Sequence, residues 1–411
     1  MSKNLHINSN RLIQRLMEMA QIGATPRGGV CRVALSNADK AGRDLFVGWC
    51  QAAGCTVNVD QVGNIFARRP GTRDDLLPVL TGSHLDSQPT GGKYDGAFGV
   101  LAALEVIETL NDEQVETSHP IEIVSWTNEE GARFAPGLTG SGVFVGEFDL
   151  DQALSLTDKD GHTFGEELKR IGYAGETTPG QQSYHAAIEL HIEQGPVLEA
   201  ENITIGVVRG IQGMQWYDII LEGQEAHAGT TPMDQRHDPM LGAIRVMQRI
   251  FTLNQKFAPD GRVTFGDVQI HPGSRNTVPG RVIVTLDFRH PQAAVLDQVD
   301  RQVRSIVEQE CRSADIQGQV KQIWYMPPVF FAEECIKAVQ SAANRLNCSS
   351  KSMISGAGHD AMYLAKVTPT GMIFVPCKDG LSHNELEYTA PEDLVDGCNV
   401  LLYTVLELAN S

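Results

Sequence analysis

Three histidines and four carboxylates stand in short polar stretches that each follow an apolar run. "SHLDSQPTGGKYDG" holds His84, Asp86 and Asp95, "NEEG" holds Glu129 and Glu130, "HIEQG" holds His191, and "SHN" holds His383. Imidazole nitrogens and carboxylate oxygens are the donors that zinc-class divalent ions take. Two such ions side by side repel, so a carboxylate must bridge them. Asp95 could bridge, with His84 and His191 completing one ion and Glu130 and His383 the other. Asp86 is spaced to hydrogen-bond the second ring nitrogen of His84 through its carboxylate and so fix the tautomer. Glu129, next to Glu130, must face another way and is free to act as general base on a water. Two metals would polarise a carbonyl and acidify that water, which is the chemistry of an amide hydrolase.

Taken singly, each residue has a plainer reading. A lone histidine is more often a surface or satisfied core residue, Glu129-Glu130 could be a solvated loop, and Asp95-Gly96 could be a turn. Convergence carries the argument. The runs "LLPVLTG", "IEIVSWT", "HAAIEL" and "GMIFVPC" read as buried strands separated by helical stretches, the pattern of an α/β domain with a largely parallel sheet. Functional groups in such sheets gather beyond the carboxyl ends of the strands, and these four segments deliver the histidines and carboxylates there. The chain opens on a helix, with Asn8 or Ser9 as cap and Leu12, Ile13, Leu16 and Met19 on one face.

Between 212 and 327 the pattern changes. "GMQWYDIILEGQ", "GRVTFGDVQI", "RVIVTLDFRH" and "DIQGQVKQIWYM" read as strands, with a helix after the first and another after the third. The order β-α-β-β-α-β predicts a ferredoxin-like α+β unit inserted into a mixed, largely parallel sheet domain made of 1–211 and 328–411.

The 411 residues suit two domains. A hydrophobic fraction of 42% is ordinary for a globular protein, and the net charge of −18 argues against nucleic acid or an anionic membrane as partner. Eight cysteines without a C-x-x-C pair suit reduced thiols. No secretory h-region and no membrane-length run is apparent. The expectation is a soluble, cytoplasmic protein.

Eight motifs in order, "SHLDSQPTGGKYDG", "NEEGARF", "ELHIEQGPVLE", "GQEAHAGTTPM", "PGSRNTVPG", "LDFRH", "SGAGHDA" and "GLSHNELE", resemble the M20 family of metal-dependent amidases, and most of all its N-carbamoyl-L-amino acid hydrolase branch. The resemblance covers nearly the whole chain. It implies two divalent ions per subunit (zinc, manganese, cobalt or nickel) on His84, Asp95, Glu130, His191 and His383, with Asp95 as bridge, Glu129 as base and Asp86 beside the metals. It implies substrate contacts at Gln194, His227, Asn276, Arg289 and Gly358, with His227 reaching an active site across a homodimer to stabilise the developing oxyanion. Arg289 suits a substrate carboxylate by its planar, two-pronged geometry, and "SGAGHDA" would offer main-chain N–H groups at a helix start. The inserted domain would be lid and dimerisation unit. The implied reaction is hydrolysis of the ureido C–N bond of N-carbamoyl-L-amino acids, a small-molecule ureido acid being the partner. Allantoate amidohydrolase and β-ureidopropionase are the rival readings. From another class stands a non-catalytic binding or assembly protein on the same fold, which would usually have lost a ligand or the base.

Overall fold

The computed structural model describes residues 5–411. The chain divides into two compact units, one running to Gly210 and resuming from Phe330 to Ser411, the other Ile211–Val329.

At the centre of the first unit, Ile121–Trp126, Val79–His84, Ala186–Ile192 and Thr370–Val375 lie side by side and parallel. All four are buried from end to end, which is why their sequences are apolar without alternation. Antiparallel strands extend the sheet on both sides: Ile65–Arg69 with Thr56–Val59 beyond it, and Ile205–Ile211 against Thr370–Val375. The unit is therefore a mixed α/β sheet domain with a parallel centre of four strands. Because the central four share one direction, their carboxyl ends share one edge.

Both faces are sealed. On one, Ala97–Asp112 is apolar almost all round, burying Phe98, Val100, Leu101, Leu104, Ile107 and Leu110 with Leu394, Leu401 and Val405 of Pro391–Leu408. On the other, Phe66, Leu80, Val124, Trp126, Phe144 and Tyr184 form a second cluster, with Phe66 edge-on to Trp126 at 5.9 Å. Each such side chain contributes roughly 1.5–3 kcal/mol by leaving water. A one-residue slip of any central strand would exchange its faces, so register at the strand ends is fixed by the core. The first helix, Ser9–Gln21, is capped by Asn8, whose side chain accepts the Arg11 N–H at 3.1 Å, and buries Leu12, Leu16 and Met19.

The second unit is a ferredoxin-like sandwich. Gly213–Glu222 lies between Arg281–His290 and Gln317–Met326, all antiparallel. Pro239–Asn254 and Ala293–Ala314 cover one face, packing Val246, Ile250, Val299 and Val303 on Tyr217, Ile219, Val284 and Phe288. The expected strand "GRVTFGDVQI" is broken into Arg262–Thr264 and Val268–His271, both against Arg281–His290. Gly266 and Asp267 are poor strand formers, and Asp267 instead receives Thr285 N–H on its carbonyl at 3.1 Å. A small ladder absent from the sequence reading pairs Ala226–His227 with Thr277–Val278.

Among the described residues no helix is long and apolar enough to cross a membrane, and all eight cysteines are free thiols.

Candidate metal centre

His84 is the last residue of Val79–His84, and His191 stands one before the end of Ala186–Ile192, opposite Phe374 in the next strand. Glu129 and Glu130 follow Ile121–Trp126 by three and four residues, and His383 lies in the loop beyond Thr370–Val375. Asp95 arrives from the opposite direction, just before Ala97–Asp112. Gly96, at φ +64°, turns the chain into that helix, and a Cβ there would overlap the His84 ring. Glycine is required here on both counts.

Asp95 divides its carboxylate. Oδ1 lies 3.7 Å from His84 Nε2 and 3.2 Å from His191 Nε2, while Oδ2 lies 3.3 Å from His383 Nε2. Glu130 Oε2 is 3.1 Å from the same His383 nitrogen. The donor atoms of His84, Asp95 and His191, the inner trio, all fall within 4.8 Å of one another, as do those of Asp95, Glu130 and His383, the outer trio. Donors around a tetrahedral ion with bonds of ~2.1 Å stand ~3.4 Å apart, and the observed spacings bracket that value. The residues therefore fit two cations sharing Asp95.

Without cations, protons take their place. Burial raises Asp95, but hydrogen bonds from His191 and His383 outweigh it and hold the carboxyl well below its usual range. Burial depresses His191, yet Asp95 and Glu189 lift it to about 9. Hydrogen bonds to Asp95 and Glu130 carry His383 up to about 10. Gly96 N–H also approaches His191 Nε2, at 3.2 Å, so this nitrogen sits between a donor and a carboxylate. Main-chain carbonyls receive the other ring nitrogens: Ile192 for His191 Nδ1 and Asp86 for His84 Nδ1, each at 2.9 Å. Both contacts leave Nε2 turned to the site.

That contact corrects one expectation. The Asp86 carboxylate is 3.9 Å from His84 Nδ1, and it is the carbonyl of Asp86 that holds the ring. Asp86 Oδ1 and Oδ2 instead accept the N–H groups of Glu129 and Glu130, each at 3.2 Å. Two residues after His84, the carbonyl is the nearer acceptor, and this frees the carboxylate to fix the glutamate pair. Burial pushes Asp86 up to about 6.

Glu129 Oε2 lies 3.4 Å from His84 Nε2, beside the inner trio. Burial first, then the charges of Asp360, Glu130, Asp95 and Asp86, raise its carboxyl well above the usual range. This is the direction a general base working near neutrality requires.

Gln194 donates to Asp95 Oδ2 at 3.0 Å and to Ser382 Oγ at 3.2 Å. Gln88, not singled out from sequence, donates to Glu130 Oε2 at 2.8 Å. Gly358 lies in the turn before Ala361–Leu364. The expected anion-binding helix start is already engaged: Ala361 N–H donates to buried Glu189 at 3.0 Å, which also accepts the Ser83 hydroxyl at 2.7 Å. His359 packs edge-on against His191, ring centroids 4.6 Å apart. Asn128, Gln194 and His383 are non-glycine residues in the left-handed region, at φ +56°, +56° and +53°. Such strain costs about 1–3 kcal/mol each and gathers at functional sites.

Three expected substrate residues belong to the second unit. The small ladder brings His227 beside Asn276, whose carbonyl accepts Ala228 N–H at 2.9 Å. His227 Nδ1 accepts the N–H groups of Gly229 (3.0 Å) and Thr230 (3.2 Å), so Nε2 is the donor end of an exposed ring. The Asn276 side chain accepts the Ser274 hydroxyl at 2.8 Å. Arg289 is engaged by a carboxylate of its own face, Nη2 donating to Asp287 Oδ2 at 2.8 Å and Nε reaching both oxygens at 3.1 Å.

Sequence reasoning also missed Glu387 and Ser382. Glu387 is buried and accepts the N–H groups of Tyr94 at 2.9 Å and Asp95 at 3.1 Å. The only available signal was its place four residues after His383 in "SHNELE".

Residues 80–407 match the peptidase family M20/M25/M40. An N-carbamoyl-L-amino-acid amidohydrolase of Rhizobium meliloti is 45% identical over 99% of this chain and 98% of its own length. An enzyme of the same name from Geobacillus stearothermophilus is 38% identical over 98% and 99%. A crystal structure of a hydantoinase/carbamoylase family amidase from Burkholderia multivorans superposes with a TM-score of 0.96 at 55% identity, covering 100% of both chains.

Proposed function

Because the chain belongs to peptidase family M20/M25/M40, we propose that the trio geometry serves hydrolysis, with N-carbamoyl-L-amino acids as substrates and the free amino acid, ammonia and carbon dioxide as products. The observation that carries the reading is the divided carboxylate of Asp95, with Glu129 at its edge. The full-length likeness to enzymes named for that reaction supports the substrate class.

Divalent ions of the zinc, manganese, cobalt or nickel class, when bound by His84, Asp95, His191, Glu130 and His383, supply polarisation of the ureido carbonyl and a more acidic water. The chain's own groups do the rest. Glu129 takes a proton from the attacking water as the new C–O bond forms at the ureido carbon. It then passes that proton to the amino nitrogen as the C–N bond breaks, releasing the amino acid and carbamate, which yields ammonia and carbon dioxide. Asp86 holds the main chain of Glu129 and Glu130 while this happens. His227 Nε2–H is a donor for the oxyanion. Arg289 and Asn276 receive the substrate carboxylate, for which Arg289 must share or exchange Asp287, and Gln194 and Gly358 line the remaining contacts. Residues 212–327 serve as lid and homodimer unit, inserted in the chain of a catalytic domain of 1–211 and 328–411, in a cytoplasmic enzyme.

The test is a panel. Metal-loaded protein is offered N-carbamoyl-L-amino acids, N-carbamoyl-β-alanine, allantoate, ureidoglycolate and a dipeptide, with ammonia and amine release measured. Highest kcat/KM on an N-carbamoyl-L-α-amino acid is expected. Preference for allantoate or the β-amino acid derivative would overturn the substrate, and no turnover of any compound by metal-replete protein would overturn the reaction.

A further inference from the structure

Glu387 is almost fully buried, at 4% exposure, and its carboxylate meets the main chain of Tyr94 and Asp95 and the hydroxyl of Ser382. Oε1 accepts the N–H groups of Tyr94 (2.9 Å) and Asp95 (3.1 Å), and Oε2 lies 3.0 Å from the Ser382 hydroxyl. Ser382 Oγ is in turn 3.0 Å from Asp95 Oδ2, and Ser382 precedes His383 in the chain. A Cβ at Gly92 would overlap the Glu387 carboxyl, so the loop leading to Asp95 closes directly over it. His383 itself sits at φ +53°, a backbone state that needs its surroundings to hold it.

The geometry points to Glu387 as a positioning residue that holds the Asp95 loop and, beside Ser382, the Asp95 Oδ2 and His383 side of the cluster, and so sets the affinity of the outer cation more strongly than that of the inner one. The inner trio has separate support: His84 and His191 are fixed by strand register and by the Asp86 and Ile192 carbonyls. Glu387 accepts the main-chain N–H of Asp95 and shares with Asp95 Oδ2 the single proton of the Ser382 hydroxyl, whereas the two inner imidazoles face Oδ1. The inference rests on the two-cation reading of the site.

Cations bound per chain, and the affinity of each, are measured on the full-length protein by equilibrium dialysis against zinc. The visible spectrum of cobalt-loaded protein separates the two environments. The wild type is expected to take up two ions. Glu387→Ala should bind the outer ion about 10–100-fold more weakly, with loss of one cobalt band, and weaken the inner ion far less. Glu387→Gln should restore the outer ion, since its carbonyl oxygen can accept both N–H groups and its amide can donate to Ser382. Equal weakening of both ions in Glu387→Ala, two ions at wild-type affinity, or no recovery in Glu387→Gln would overturn the assignment. Should Glu387→Ala not fold, Ser382→Ala carries the test: it removes the hydroxyl with its contacts to Glu387, Asp95 and Gln194, so selective weakening of the outer ion supports the lock and unchanged affinity overturns it. A wild-type chain that binds no zinc or cobalt at all defeats the two-cation reading itself, and the uptake of the wild type tells the two failures apart.

Discussion

His84 and His191 end strands of a sheet sealed on both faces, and each side chain is at most 2% exposed. His383 leaves 51% of its side chain in solvent and stands on a loop whose backbone is left-handed at that residue. The two trios share Asp95, yet one is made of groups that folding places and dehydrates, and the other is made of groups that neighbouring side chains must hold. A desolvated, register-fixed donor set binds strongly and exchanges slowly. The outer trio opens to water only at His383, since Asp95 and Glu130 are each 4% exposed. The cluster thus combines donors placed by the sheet with one, His383, that its neighbours must hold.

The largest effect that sharpens this contrast comes from a residue in neither trio. Glu129→Gln should lower kcat about 10²–10⁴-fold, the range for loss of a general base, while both ions stay bound by metal analysis. Next come the two trios themselves. His191→Ala should abolish the inner ion and, by leaving Asp95 buried beside fewer cations, destabilise the cation-free protein by ~3–5 kcal/mol in urea unfolding. His383→Ala should lose only the outer ion and cost less stability than His191→Ala, since the ring it removes stands half in solvent while its partners Asp95 and Glu130 stay buried. Equal losses from the two substitutions would erase the distinction.

The smallest effect is in pH. In the cation-free chain His191 stands up at about 9 and His383 at about 10, above the ~6.5 of a free imidazole. A raised pKa means stability that is fully present below pH ~6.5 and lost as pH climbs through the folded values. The cation-free protein should therefore melt at progressively lower temperature from about pH 6.5 to 10. Zinc-loaded protein, whose imidazoles are already neutral and bound, should lack that decline. The same protons must leave when an ion binds, so apparent metal affinity should rise with pH over this range.

The central strands were legible because a buried parallel strand must be continuously apolar and because its carboxyl end is where polar residues gather. That logic reaches His84, Glu129, Glu130 and His191 directly. It does not reach the question of which atom of Asp86 touches His84, since only backbone conformation decides between a carbonyl and a carboxylate two residues away. Nor could it reveal Arg289 paired with Asp287, a partner on its own strand face, although "LDFRH" displays the alternation that puts both side chains on one side. Glu387 lay in an acidic loop with no period to read, and its significance comes wholly from the loop before Asp95 folding over it. In "GRVTFGDVQI" the apolar alternation outvotes a single Gly-Asp pair and predicts one strand, whereas the folded chain breaks there.

Gly96 bears on how relatives of this protein are judged. A lone methyl group at that position would press the His84 ring out of line while every metal-binding residue was still present in the sequence. Such a chain would pass any inspection of its ligands and still be inert, so competence in this lineage has to be read at an atom that is missing as well as at those that bind.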